Sequence, residues 1–174
     1  KPGVARVFRR LEAFFLSQGL QVSPHFVDGV EAAISVTVNA GSTVGRPVLL
    51  MGHCDTVFPE GEAARRPFRI EGGRAYGPGV ADMKSGIVMN AFLLAALAHS
   101  AEPAPEVSGL FTCDEEIGSP LSKSGIEPFA RKAGFVFNAE PGRPSGNVVT
   151  GRKGGVFFGV EIEGKAAHSG ANFA

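Results

Sequence analysis

The stretch "EVSGLFTCDEEIG", residues 106–118, is an apolar run that ends in three consecutive acids, Asp114, Glu115 and Glu116. A short apolar run bounded by turn residues reads as a strand covered on both faces. Two other runs have the same form. "PVLLMGHCD", 47–55, passes into His53-Cys54-Asp55, and "GFVFNAE", 134–140, passes into Glu140. Each ending alone has an ordinary explanation: a solvated acidic face, a structural histidine beside a turn aspartate, or turn punctuation before Pro141-Gly142. All of them at successive strand ends point to one site, because open α/β sheets bind ligands at the carboxyl ends of their strands.

The remaining segments supply the layers. Val4, Val7, Phe8, Leu11, Phe14 and Phe15 recur at helical spacing, with Gly19 as a stop. "LQVSPHFV" and "AAISVTVN" read as strands, and residues 58–80 as loop with a small hairpin around "FRIEGGRAY". "KSGIVMNAFLLAALAHSA" and "GIEPFARKA" read as helices. Alternation of strands and helices predicts an α/β fold with a mostly parallel sheet flanked by helices. From Gly154, "GVFFGVEIEGKAA" reads as a long alternating strand, so the expected division is 1–153 and 154–174.

Composition limits the classes of function. Apolar residues make up 44 % and charged residues 20 %, and Lys plus Arg equals Asp plus Glu at 17 each. This balance gives no electrostatic reason to expect nucleic acid or an anionic membrane as partner. The apolar stretch from Ile87 to Ala98 is short for a bilayer span and reads as a buried helix. Cys54 and Cys113 form no metal or redox spacing motif and do not fix the compartment. The chain starts without Met inside a helical pattern, which suggests a segment of a longer protein.

Carboxylates packed at one sheet edge repel and resist desolvation unless something positive sits among them. A metal centre resolves that conflict. Side chains alternate along a strand, so His53 and Asp55 share a face while Cys54 points to the core. His53 is then able to ligate through one ring nitrogen while Asp55 accepts the other N–H. "YGPGVADMKSG" sets Asp82 in a glycine-rich loop before the long helix, where it is placed to bridge two metals. That loop matches neither nucleotide-binding glycine pattern.

"GHCDTV", "YGPGVADMKSG", "CDEEIGSP", "NAEPG" and "GKAAHSG" occur in the order found in the M20 family of dizinc peptidases and amidohydrolases, which the whole chain resembles. The resemblance implies a zinc-peptidase catalytic domain, incomplete here, followed by the start of a smaller α+β lid and dimerisation domain. It implies two zinc ions, with cobalt or manganese as substitutes, held by His53, Asp82, Glu116 and Glu140. Asp82 would bridge the ions and His53 and Glu140 would share one of them. Glu115 would be the general base, Asp55 the partner of His53, and His168 the oxyanion donor from the lid. A cis peptide is implied at Asp82–Met83. The family's last histidine ligand has no counterpart here, and Cys54 stands where a larger apolar residue is usual.

The implied substrate is a small peptide or N-acyl amino acid, and the implied assembly a homodimer through the lid. Glu140 and the "VFPEG" and "EPGRP" stretches lean toward the glutamate carboxypeptidase type. The alternatives are an N-acyl-amino-acid deacylase of the acetylornithine, succinyl-diaminopimelate or aminoacylase kind, or a non-catalytic binding domain. The cytoplasm is favoured over the periplasm.

Overall fold

A computed structural model describes residues 2–156 and 158–164. Helix α1, Pro2–Ser17, buries Val4, Phe8, Leu11 and Phe15, the stripe that its spacing predicts. Strands β1 (Ser23–Val27) and β2 (Val30–Val38) pair antiparallel across Asp28-Gly29, whose φ values are 49° and 75°. Both central residues are left-handed, the geometry that lets a two-residue Asp-Gly hairpin follow strand twist. β3 (Val48–His53) then leads into residues 58–80. That segment holds a short helix, α2 (Glu62–Arg65), beside the expected hairpin of β4 (Arg69–Glu71) and β5 (Arg74–Tyr76). The short helix is a departure from the loop expected there. Buried Glu62 holds it by accepting both Arg65 and Arg66.

A π-type turn, Val80–Lys84, feeds α3 (Ser85–Ala98), and β6 (Val107–Thr112), α4 (Lys123–Lys132) and β7 (Phe135–Asn138) follow. The sheet order is β1-β2-β6-β3-β7. β6, β3 and β7 are mutually parallel, and β2 is antiparallel to both β1 and β6. Four strands therefore run one way and only β2 runs the other. The sheet is mixed but mostly parallel, and the hairpin accounts for the reversed strand.

Helices cover both faces. α1 and α3 bury Phe8, Phe15, Ile87 and Leu94 against Ile34, Val36, Leu50 and Phe111. On the other face Ala33, Leu49 and Leu110 meet Ile126 and Phe129 of α4. Adjacent residues such as Leu110 and Phe111 thus serve opposite layers, as strand alternation requires. α3 lies on the sheet through Gly86, Ile87, Ala91 and Leu94, and Asn90 donates to the Met51 carbonyl at 3.0 Å. At the edge of the sheet, Phe135, Val136 and Phe137 of β7 are exposed.

The compact unit closes at Pro141, and Gly142 opens a second unit. Of the strand expected from Gly154, the described part is not formed: residues 142–156 and 158–164 carry no helix or strand, and the remainder lies outside the described residues. A strand exists only through its ladder, and among the described residues none pairs with this stretch.

Opposite the carboxyl edge, buried Glu106 accepts the Gly41 N–H at 3.0 Å and the Lys132 ammonium at 2.5 Å. Those two bonds hold its pKa below the ordinary carboxylate value against the opposing effect of burial. A depressed native pKa adds stability above the unfolded pKa and loses it as pH falls through the native one. In the intact protein, Glu106→Gln is expected to cost about 1 kcal/mol at neutral pH. The gap to wild type should close as pH falls through and below the carboxylate range. Urea midpoints across that range check both the size and the sign.

Candidate metal centre

β3, β6 and β7 deliver their last residues to one edge, with His53 beside Thr112 and Met51 beside Asn138. His53 is 2 % exposed, and its backbone N–H donates to Met83 Sδ at 3.3 Å. Cys54 points away and joins the core. The ring is fixed at both nitrogens. Nδ1 lies 3.3 Å from Asp55 Oδ1 and 3.2 Å from the Asp55 backbone carbonyl. Nε2 faces Asp82 Oδ1 at 3.0 Å, Glu140 Oε1 at 3.7 Å and Glu115 Oε2 at 3.9 Å.

Asp55 does more than orient the ring. Its Oδ1 accepts the Glu115 N–H and its Oδ2 the Glu116 N–H, each at 3.2 Å. One carboxylate thereby ties the end of β3 to the turn after β6. Asp82 enters on the π-type turn, and the Asp82–Met83 peptide is cis, as the resemblance implies. Gly79 there has φ 71°, and a Cβ on it would meet Thr56 Cγ2 at 2.6 Å, so glycine serves both conformation and space. Gly86, at the start of α3, presses on the segment after β7: a Cβ would fall 2.0 Å from the Ala139 carbonyl oxygen. Ala139 directly precedes Glu140.

Two groups of three bring ligand atoms within 4.8 Å of one another: His53 with Glu115 and Glu140, and His53 with Asp82 and Glu116. His53 is common to both. Glu115, the expected base, falls within one of these groups although it is the farthest of the three carboxylates from His53 Nε2. His168 lies outside the described residues.

The electrostatics are those of a cluster short of positive charge. Burial pushes the Glu140 carboxyl up, and the Asp82 and Glu115 carboxylates push it further against the pull of His53. Glu116 is raised by burial and by Asp82. Burial would lower His53, but Asp55, Glu140 and Asp82 together push it up to about 9. For Asp55, burial is outweighed by His53 and the Glu116 N–H, and its pKa falls. An imidazole among hard carboxylate oxygens is a donor set that suits divalent zinc, cobalt or manganese. A cation there would supply the charge that a proton on His53 otherwise provides.

The solvated face that ordinarily explains consecutive acids does not hold for Asp114, which is 3 % exposed. Oδ2 accepts the N–H groups of Leu121 at 2.6 Å and Ser122 at 3.2 Å. The signal in the sequence is "GSP", 118–120, which turns the chain back toward Asp114.

Comparison with known proteins agrees with this geometry. The pattern of "Peptidase family M20/M25/M40" matches residues 49–172. Carboxypeptidase G2 of Pseudomonas sp. (strain RS-16) is 34 % identical over 97 % of the chain and 41 % of its own length. Succinyl-diaminopimelate desuccinylase of Gluconobacter oxydans (strain 621H) is 36 % identical over 71 % of the chain and 35 % of its own length. The chain thus spans less than half of either relative. Among solved structures, the M20 family metallo-carboxypeptidase Sso-CP2 from Sulfolobus solfataricus superposes with TM-score 0.63 at 22 % identity, covering 82 % of this chain and 33 % of that one.

Gly86→Ala, made in the intact protein, is expected to displace Ala139 and Glu140 and weaken divalent-metal binding by about tenfold or more. Far-UV circular dichroism should stay unchanged. Metal titration followed by calorimetry measures the effect.

Proposed function

The chain belongs to peptidase family M20/M25/M40, a family of metal-dependent enzymes, and from that premise we propose that the protein carrying it is a two-metal hydrolase that cleaves the amide bond to an amino acid. The observation that carries the proposal is the convergence of Asp82, Glu115 and Glu140 on His53 Nε2, with Glu116 grouped around Asp82. In this reading His53 and Glu140 would hold one ion, Glu116 would contribute to the other, and Asp82 would serve both. Zinc is the favoured metal. When bound, the ions polarise the scissile carbonyl and make a water acidic at neutral pH.

The chain's own residues do the rest. Asp55 holds the His53 ring through Nδ1 so that Nε2 faces the site. Glu115 takes the proton of the attacking water and returns it to the leaving amine. Its backbone is fixed by the Asp55 bond, so the base approaches from a rigid turn. Glu116, one residue on, is fixed by the same carboxylate and serves as ligand. His168 would stabilise the oxyanion from the lid, and the homodimer through that lid belongs to the same proposal.

Identity to carboxypeptidase G2 supports a glutamate carboxypeptidase type of substrate. The desuccinylase match favours a second reading, an N-acyl-amino-acid deacylase. Both reactions release an amine from an amide and use the same residues.

In the intact protein, Glu115→Gln is expected to keep its metal and lose about 10²–10⁴-fold in kcat. Asp82→Ala is expected to bind neither ion tightly. Assays against glutamyl and N-acyl substrates, with metal counted by mass spectrometry, test both. Full turnover in Glu115→Gln would remove the base from the mechanism.

A further inference from the structure

We propose that Asp114 is a positioning residue that fixes the directions of Glu115 and Glu116, an inference that rests on the hydrolase reading above. Its partners are all main-chain groups of one loop. The side-chain Oδ2 accepts from Leu121 and Ser122. The Asp114 carbonyl accepts the Ser119 N–H at 2.8 Å and the Ile117 N–H at 3.4 Å. The loop 114–122 is therefore closed onto its own first residue, with Gly118 and Ser119 left-handed at φ 85° and 57° to make the return.

Asp55 grips the same turn from the opposite side, through the amides of Glu115 and Glu116. Between two buried carboxylates the backbone of the acidic pair has little freedom, and its side chains leave the turn toward His53 and Asp82. The three consecutive acids thus divide: one folds inward as an acceptor and two project outward. Without the Asp114 side chain, the Leu121 and Ser122 amides lose their acceptor and the loop must reopen to find another. Glu115 and Glu116 would then sample orientations away from the centre.

Asp114 Oδ1 is buried and has no hydrogen-bond partner among the described residues. An asparagine keeps an oxygen for the two amides and puts its NH₂ where no bond is lost, so Asp114→Asn is the conservative variant. A residue that merely caps α4 would affect unfolding and leave turnover and metal binding alone.

The test uses the intact protein in three forms: wild type, Asp114→Ala and Asp114→Asn. Hydrogen exchange on the wild type should show the Leu121 and Ser122 amides protected. Asp114→Ala should expose residues 115–122 to exchange and lower kcat and the affinity for the second metal equivalent by about tenfold to hundredfold. KM should change little. Asp114→Asn should restore most of that loss and the protection. Unprotected Leu121 and Ser122 amides in the wild type would overturn the proposal, even if the alanine variant fails to fold. So would a folded alanine variant with unchanged kcat and metal affinity. A wild type without hydrolase activity would instead sink the functional reading, while the exchange pattern still decides whether Asp114 holds the turn.

Discussion

The Asp55 carboxylate lies 3.3 Å from His53 Nδ1 and accepts the backbone N–H groups of Glu115 and Glu116 at 3.2 Å. Those contacts join the ends of β3 and β6, adjacent parallel strands whose ladder stops at His53 and Thr112. One further backbone bond, from the Cys54 N–H to the Thr112 carbonyl at 2.8 Å, follows, and past it the carboxylate joins the two segments. Asp55 is 2 % exposed, so its bonds are made away from competing water. Leaving the two amides and a ring nitrogen unpaired there would cost a few kcal/mol, a large share of a typical domain's stability.

From that clamp the charge arrangement follows. Asp55 is held ionised by what it binds, whereas Glu116 and Glu140 are raised by burial and by neighbouring carboxylates. The environment thus separates the acids into a structural anion satisfied by its neighbours and a group whose charge is left unmatched among the described residues. Such an unmatched group is stable only with a cation or with protons. The fold supports this excess because α3 and the core below it are tightly built: Met83 lies buried beneath His53, and Gly86 admits Ala139 at a spacing that any side chain would block.

Much of this is legible in the sequence because strand alternation is rigid. His53 and Asp55 on one face, Cys54 in the core, and acids at three strand ends all follow from a period of two and a crossover topology. The reversed β2 was within reach through Asp28-Gly29, a hairpin signal masked by the stronger alternation of strand and helix. Asp114 was not legible in the same way. Its burial depends on a loop that returns after Gly118, and adjacency to two further acids argues for the wrong environment. The second bond system of Asp55 is equally hidden, since a contact across 60 positions leaves no local trace. The short α2 helix depends on Glu62 meeting two arginines, which is a matter of side-chain geometry more than of propensity.

The three strands that carry the site are not equally anchored. β3 lies between β6 and β7, and β6 lies between β2 and β3, whereas β7 pairs on one side only among the described residues. Its four residues are exposed, so little buried area holds it beyond the ladder to β3. Among the described residues, then, the strand that leads to Glu140 is the least anchored of the three. The centre is built with a firm half, His53 with the 115–116 turn, and a yielding half at Glu140. Among the described residues, Glu140 is thus the candidate ligand carried by the least-anchored strand, and its position depends more on the Gly86 contact with Ala139 than on a covered sheet.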